Sequence, residues 1–210
     1  MNYLDILKLS LNNIDKPTTE RPSKMNRMDL FDAIKNRRSI REFKSDPVPE
    51  TLLKEILEAA QWAPSAGNCH ARDFIVVKNP EVKRRLCEAA LKQSFIEEAP
   101  VDIVVCANEE RSAAVYGGRG RNLYCILDAA AAVQNMLLAA HALGLGACWV
   151  GAYSDEEVAR TLHLPEWVRP IAIIPIGYPD EKPEPPERIE AHAITYRERY
   201  RANEASRSGF

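Results

Sequence analysis

"LYCILDAAAAVQNMLLAAHAL", residues 123–143, has the most apolar composition in the chain and is rich in alanine. A helix that is apolar nearly all round must be covered on several sides. A position at the centre of a core would satisfy that, and so would one at a large dimer interface. "GLG" at 144–146 stops the helix. Asp128 interrupts the apolar run, and an unpaired carboxylate there would be costly. It is expected to pair with an arginine or to cap backbone amides.

Working outward, "ACWVGAY" (147–153) reads as a strand and "SDEEVARTLHL" (154–164) as a short helix with Ser154 and Glu157 at capping-box spacing. "VRPIAIIPIGYP" (168–179) reads as a buried strand. On the other side, "YGGRGRN" (116–122) reads as a mobile glycine-rich connector and "VDIVVCAN" (101–108) as a buried strand. "PEVKRRLCEAALKQSFIEEAP" (80–100) is helical, with Pro80 suited to its first turn. "DFIVVKN" (73–79) is a strand rich in β-branched residues. In "PETLLKEILEAAQWAPS" (49–65), Leu52, Leu53, Ile56, Leu57 and Ala60 share a helical face, and Pro64 ends it. "REFKSDPVPE" (41–50) is extended because Pro47 and Pro49 forbid helix. "NRMDLFDAIKNRRSI" (26–40) is a helix capped by Asn26 or Asp29, with Leu30, Phe31 and Ile34 at helical spacing. This order of elements points to an α+β or three-layer α/β arrangement. The main domain takes residues 27–200. An extension (1–26) precedes it, and a polar tail (201–210) follows a proline-rich stretch, from Asp180, expected to wrap over a neighbour.

With 210 residues and 46% hydrophobic content, the chain can bury a substantial core. A formal net charge of −2 supplies no general field toward nucleic acid or an anionic membrane. No apolar run approaches the ~20 residues of a membrane span, and no signal peptide opens the sequence. Five widely spaced cysteines form no CxxC pair, which argues against zinc and iron–sulfur sites and fits a reducing cytoplasm. His141 and His163 have no metal-ligand spacing, and Trp62, Trp149 and Trp167 are expected to serve packing.

"RRSIREF" (37–43) places Arg37, Arg38 and Arg41 within five positions. Three cations at a helix end complement its dipole by only ~0.3–1 kcal/mol each. Their mutual repulsion calls for an answering anion or carboxylate, and guanidinium forks bind phosphate oxygens bidentately. No Walker loop or dinucleotide GxGxxG follows a strand, so any phosphate is held by side chains.

"NRRSIREF", "AAQWAPSAGN", "YGGRGRNLYCILDAAAAVQNMLLAAHALGLGACWVGAY" and "PIAIIPIGYPDEKP" occur in the order and spacing of the FMN-dependent nitroreductase-like family, which the chain resembles from about Met28 to Tyr200. The resemblance implies an α+β fold, a three-layer α-β-α sandwich, in an intertwined homodimer with two FMN molecules at the subunit interface. Arg37, Arg38 and Ser39 resemble the phosphate and ribityl contacts, and Arg41 the cation beside flavin N1 and O2. Pro64, Ser65 and Asn68 resemble contacts from the other subunit. Val150 and Gly151 resemble the backbone at the N5 and O4 edge, and Arg188 a late basic residue returning to the phosphate. Gln134 and Asn135 are expected to hydrogen-bond across the dimer.

The implied activity passes electrons from NADH or NADPH through FMN to a small acceptor, such as a nitroaromatic or a quinone, with no side chain required as acid or base. A non-catalytic flavin-binding or storage protein, or a dehalogenating or flavin-destroying branch, would share these motifs. One departure stands out. Family members often follow the asparagine with glutamine, proline and tryptophan; here Cys69, His70, Ala71 and Arg72 stand instead. His70 becomes a candidate for substrate choice.

Overall fold

In a computed structural model that describes residues 28–200, four strands make one sheet. They are β1 (Arg72–Val77), β2 (Val101–Asn108), β3 (Gly146–Ala147) and β4 (Val168–Gly177). Their order is β1-β2-β4-β3, and every neighbouring pair is antiparallel. The extension (1–26) and the tail (201–210) fall outside the described residues.

The helices are α1 (Leu30–Asn36), α2 (Glu50–Gln61), α3 (Pro80–Ala89), α4 (Phe95–Glu98), α5 (Glu109–Arg119), α6 (Cys125–Ala142) and α7 (Asp155–Leu162). The two-residue period of β2 assigns them to layers. Val101, Ile103, Val105 and Ala107 join the cluster of α2 and α6 residues, whereas Val104 and Cys106 join that of α3, α4 and α7. The molecule is therefore the α-β-α sandwich that the resemblance implied. Apolar surroundings push the Cys106 thiol up to about 12.

Local signals set most boundaries. Asp29 caps α1, its carboxylate accepting from Phe31 N at 2.9 Å, and Ser154 caps α7 by accepting from Glu157 N at 3.3 Å. In three places the chain departs from expectation. The 80–100 helix is split between α3 and α4, where Leu91 and Lys92 take positive φ. The "ACWVGAY" strand is reduced to Gly146–Ala147 and a single bridge from Val150 to Ile173. "YGGRGRN" is not a connector: α5 kinks at Gly117 and continues through a π turn (Gly120–Tyr124) into α6. A side chain at 120 would put Cβ 2.4 Å from the Ser112 carbonyl oxygen, so the tight helical path depends on glycine there. The helical run Glu109–Ala142 is thus long and apolar enough to cross a membrane by length and composition, contrary to the sequence reading.

α6 is covered on one side. Ala129, Ala132, Val133, Met136 and Ala140 are fully buried against α2 and the sheet, while Leu127 is 54% exposed and Gln134 is exposed. Within the protomer, Asn135 Nδ2 donates to Ala59 O at 3.0 Å, tying α6 to α2. α1 buries only Ala33, leaving Leu30, Phe31 and Ile34 open, as are Ile189, Ile194 and Tyr200 beyond β4. The tryptophans are not core residues; Trp62 is 86% exposed.

Candidate functional site

α1 ends at Arg37, whose backbone turns extended and lays the next residues on the sheet edge. Ser39 bridges Ala147 in parallel, and Ile40 N donates to Ala147 O at 3.1 Å. Gly146 permits this contact, since a Cβ there would lie 2.8 Å from three Ile40 carbons. Further on, Lys44 N donates to Tyr178 O and Asp180 N to Glu42 O, each at 2.9 Å. The Glu181 carboxylate accepts from the Arg41 and Glu42 amides. This zipper brings the tail back over the arginine segment and carries Arg188 to Arg37.

Arg37, Arg38 and Arg188 form a cationic cluster. Burial, then Arg188 and Arg38, pulls the Arg37 guanidinium below its ordinary value. Arg38 turns one amino group to the Lys35 and Arg37 carbonyls at 2.7 and 2.9 Å, but its Nε is buried and unpartnered. No carboxylate lies within 4.0 Å of Arg37, Arg38 or Arg188 among the described residues. Gathered guanidinium groups with an orphaned donor fit a phosphate: its oxygens would satisfy the donor and reverse the repulsion. Arg41 stands beside this cluster, its guanidinium 5.9 Å from the Phe95 ring centroid. Cys148 is buried beneath, near Arg41, Ser39 and Arg37.

His141, an unremarkable helix residue by sequence, belongs here too. Its buried Nε2 has no partner; burial, Arg37 and Arg38 hold the imidazole below its ordinary 6.5. As pH falls the unfolded chain takes up this proton first. The group's stabilising share is therefore complete above about pH 6.5 and lost as pH drops through the depressed folded value. Urea unfolding of flavin-free protein should show this loss as pH falls below about 7.5, and His141→Gln should flatten it. Parallel pH profiles for the two proteins would contradict the assignment.

The other sequence-singled residues lie elsewhere. Pro64, Ser65 and Asn68 sit on a loop between α2 and β1, anchored at the N-terminal end of α6. Asp128, 4% exposed, accepts from Ala66 N at 2.9 Å and Ala71 N at 3.4 Å, so it caps backbone as expected. Ser65 Oγ accepts from His70 N at 3.0 Å. Beside the loop runs a groove of about 300 Å³, lined by Pro64, Ser65, Ala66, Tyr124, Leu127, Asp128 and Ala131. The loop and the arginine cluster mark opposite ends of α6. From residue 128 to residue 141 the helix rises by about 20 Å.

Val150 is buried at 3% exposure and bridges Ile173; Gly151 is exposed beside it. Within the protomer nothing demands glycine there, because a Cβ would meet only Trp149, at 3.7 Å or more. His70 lines a separate apolar groove of about 860 Å³ between α2 and β1, with Leu53, Leu57, Trp62 and Phe74. Sequence reasoning missed His141, which comes beside Arg37 and Arg38 only in the folded chain, and Arg72, whose partners come only through tertiary contacts.

The sequence model of the nitroreductase family matches residues 34–178. A protein of Methanothermobacter thermautotrophicus, provisionally named NADH dehydrogenase/NAD(P)H nitroreductase, is 40% identical over 172 residues, covering 80% of this chain and 86% of that one. FMN reductase [NAD(P)H] of Bacillus subtilis is 30% identical, with 82% and 74% coverage. The crystallised NADPH:FMN oxidoreductase of Vibrio harveyi, complexed with NAD+, superposes with a TM-score of 0.76 at 27% identity, covering 82% of this chain and 78% of that one.

Proposed function

We propose, because the chain belongs to the nitroreductase family, that it is an FMN-dependent oxidoreductase using NADH or NADPH. The observation that carries this reading is the arginine cluster: Arg37, Arg38 and Arg188 meet with no carboxylate among the described residues within 4.0 Å to answer them. Bound FMN would supply two-electron redox chemistry between the nicotinamide donor and a small acceptor such as a nitroaromatic or quinone.

The chain's own residues bind and tune. Arg37, Arg38 and Arg188 take the phosphate, and Ser39 the neighbouring ribityl chain. Arg41 sets a fixed cation at the N1 and O2 edge, where reduction deposits charge. Val150 and Gly151 present main chain to the N5 edge. No side chain has to serve as acid or base.

Pro64, Ser65 and Asn68 complete the site from a second subunit. The separation along α6 supports this: a two-fold axis that pairs α6 antiparallel with its copy sets the 128 end of one helix beside the 141 end of the other. The open apolar residues of α1, α6 and the 189–200 segment give such a pairing surface to bury. We place the homodimer in the cytoplasm, where its five free thiols stay reduced.

Anaerobic stopped-flow mixing with NADH and with NADPH tests the reading. Rapid bleaching of the bound flavin is expected with at least one donor. Flavin that binds but is bleached by neither would mark a carrier, not an enzyme.

A further inference from the structure

We propose that Arg72 is a positioning residue which, with Asp128, holds the 64–71 loop in the one shape that reaches the partner's flavin; this rests on the flavin reading above. The loop leaves α2 with its last carbonyls unpaired, and a single guanidinium collects them. Arg72 Nη2 donates to Gln61 O and Ala63 O, both at 2.8 Å. Nη1 donates to Pro64 O at 3.1 Å and Asp128 O at 3.4 Å, and Nε to Gln61 Oε1 at 3.2 Å. All five guanidinium donors are thereby used.

Asp128 does the converse for the amides of Ala66, which opens the 3₁₀ turn Ala66–Asn68, and of Ala71, three residues past its end. Carbonyls at the loop entry meet a cation, and amides within the loop meet an anion. The two charges answer each other at 3% and 4% exposure.

The backbone between them needs such a clamp. Gly67, Asn68 and His70 have φ of 53°, 56° and 48°. Side-chain-bearing residues hold that conformation only where their surroundings over-determine it. Gly67 is further confined by the Tyr116 hydroxyl, which a Cβ would approach to 2.4 Å. Arg72 also stands within the CHAR segment that departs from the common family pattern, so here a buried fork fixes the loop.

Subunit complementation tests this. Arg72→Lys keeps the cation opposite Asp128 but has three donors for five acceptors. Its homodimer should bind FMN at least 10-fold more weakly while keeping the wild-type circular dichroism spectrum. The Arg37→Ala homodimer, with an intact loop and a damaged cradle, should also bind weakly. A purified heterodimer of the two chains carries one site with both halves intact and should regain one FMN per dimer at wild-type affinity.

Wild-type affinity in the Arg72→Lys homodimer would overturn the positioning role. So would a heterodimer with no restored site, because the loop would then act within its own chain. Should Arg72→Lys fail to fold by circular dichroism, Asp128→Asn takes its place with the same expected and contrary results. Failure of the wild-type protein itself to bind FMN would instead overturn the flavin reading.

Discussion

Arg37→Ala should weaken FMN binding by about 100-fold without destabilising the flavin-free protein. A bidentate, charge-assisted contact to phosphate contributes about 2–3 kcal/mol, and each 1.4 kcal/mol is a factor of ten in affinity. The unchanged or raised stability of the flavin-free variant follows from the same electrostatics with opposite sign. Arg37 is half-buried beside Arg38 and Arg188, and its charged form is already disfavoured there. Removing it relieves two repulsions and costs little packing. Flavin-fluorescence titration gives the affinity, and melting with and without FMN gives both stabilities, since ligand stabilises only the folded state it binds. Affinity within threefold of wild type, or a clear loss of flavin-free stability, would show that Arg37 is a structural cation.

Arg41→Ala should act on the flavin's potential more than on its retention. The Arg41 backbone is held by Glu181, but no carboxylate among the described residues lies within 4.0 Å of its guanidinium, which stands over Phe95. In the flavin site proposed above it would face the N1 and O2 edge, which becomes negative on reduction. Losing a cation worth about 1.4–2.8 kcal/mol there lowers a two-electron potential by about 30–60 mV, at 30 mV per 1.4 kcal/mol. Equilibration of the variant's flavin against a reference dye under anaerobic conditions measures this. An unchanged potential would remove Arg41 from the flavin's edge.

Much of the fold was legible because its signals are local. Asp29 and Ser154 cap where the sequence placed caps, and the β-branched runs became the sheet. The apolar character of 123–143 did mark the long core helix, although only one side of it is covered within the protomer. Less legible were features that need a distant neighbour. Glycines at 117 and 120 suggested a loose connector, yet Gly120 is small so that helix can pass against Ser112. Nothing local in the sequence showed that the Asn135 amide would meet the Ala59 carbonyl of α2.

The same division runs through the site. Arg37, Arg38, Ser39 and Arg41 announce themselves by crowding in sequence, a pattern that is costly without an anion. Arg188 and His141 carry no such mark. They reach the cluster only because residues 178–181 zip onto 42–44 and α6 ends beside α1. Arg72 stood out in sequence only as a departure from the family pattern, and its role emerges when the loop closes around it at 3% exposure.

The account turns on the guanidinium cluster gripping a phosphate, and comparison of FMN with riboflavin isolates that grip. Both share the ring and ribityl chain; only FMN carries the dianion. Titrating flavin-free protein with each at low and at raised ionic strength should show FMN binding at least about 100-fold more tightly, with the advantage shrinking as salt increases. Equal affinity for the two flavins, insensitive to salt, would contradict the account.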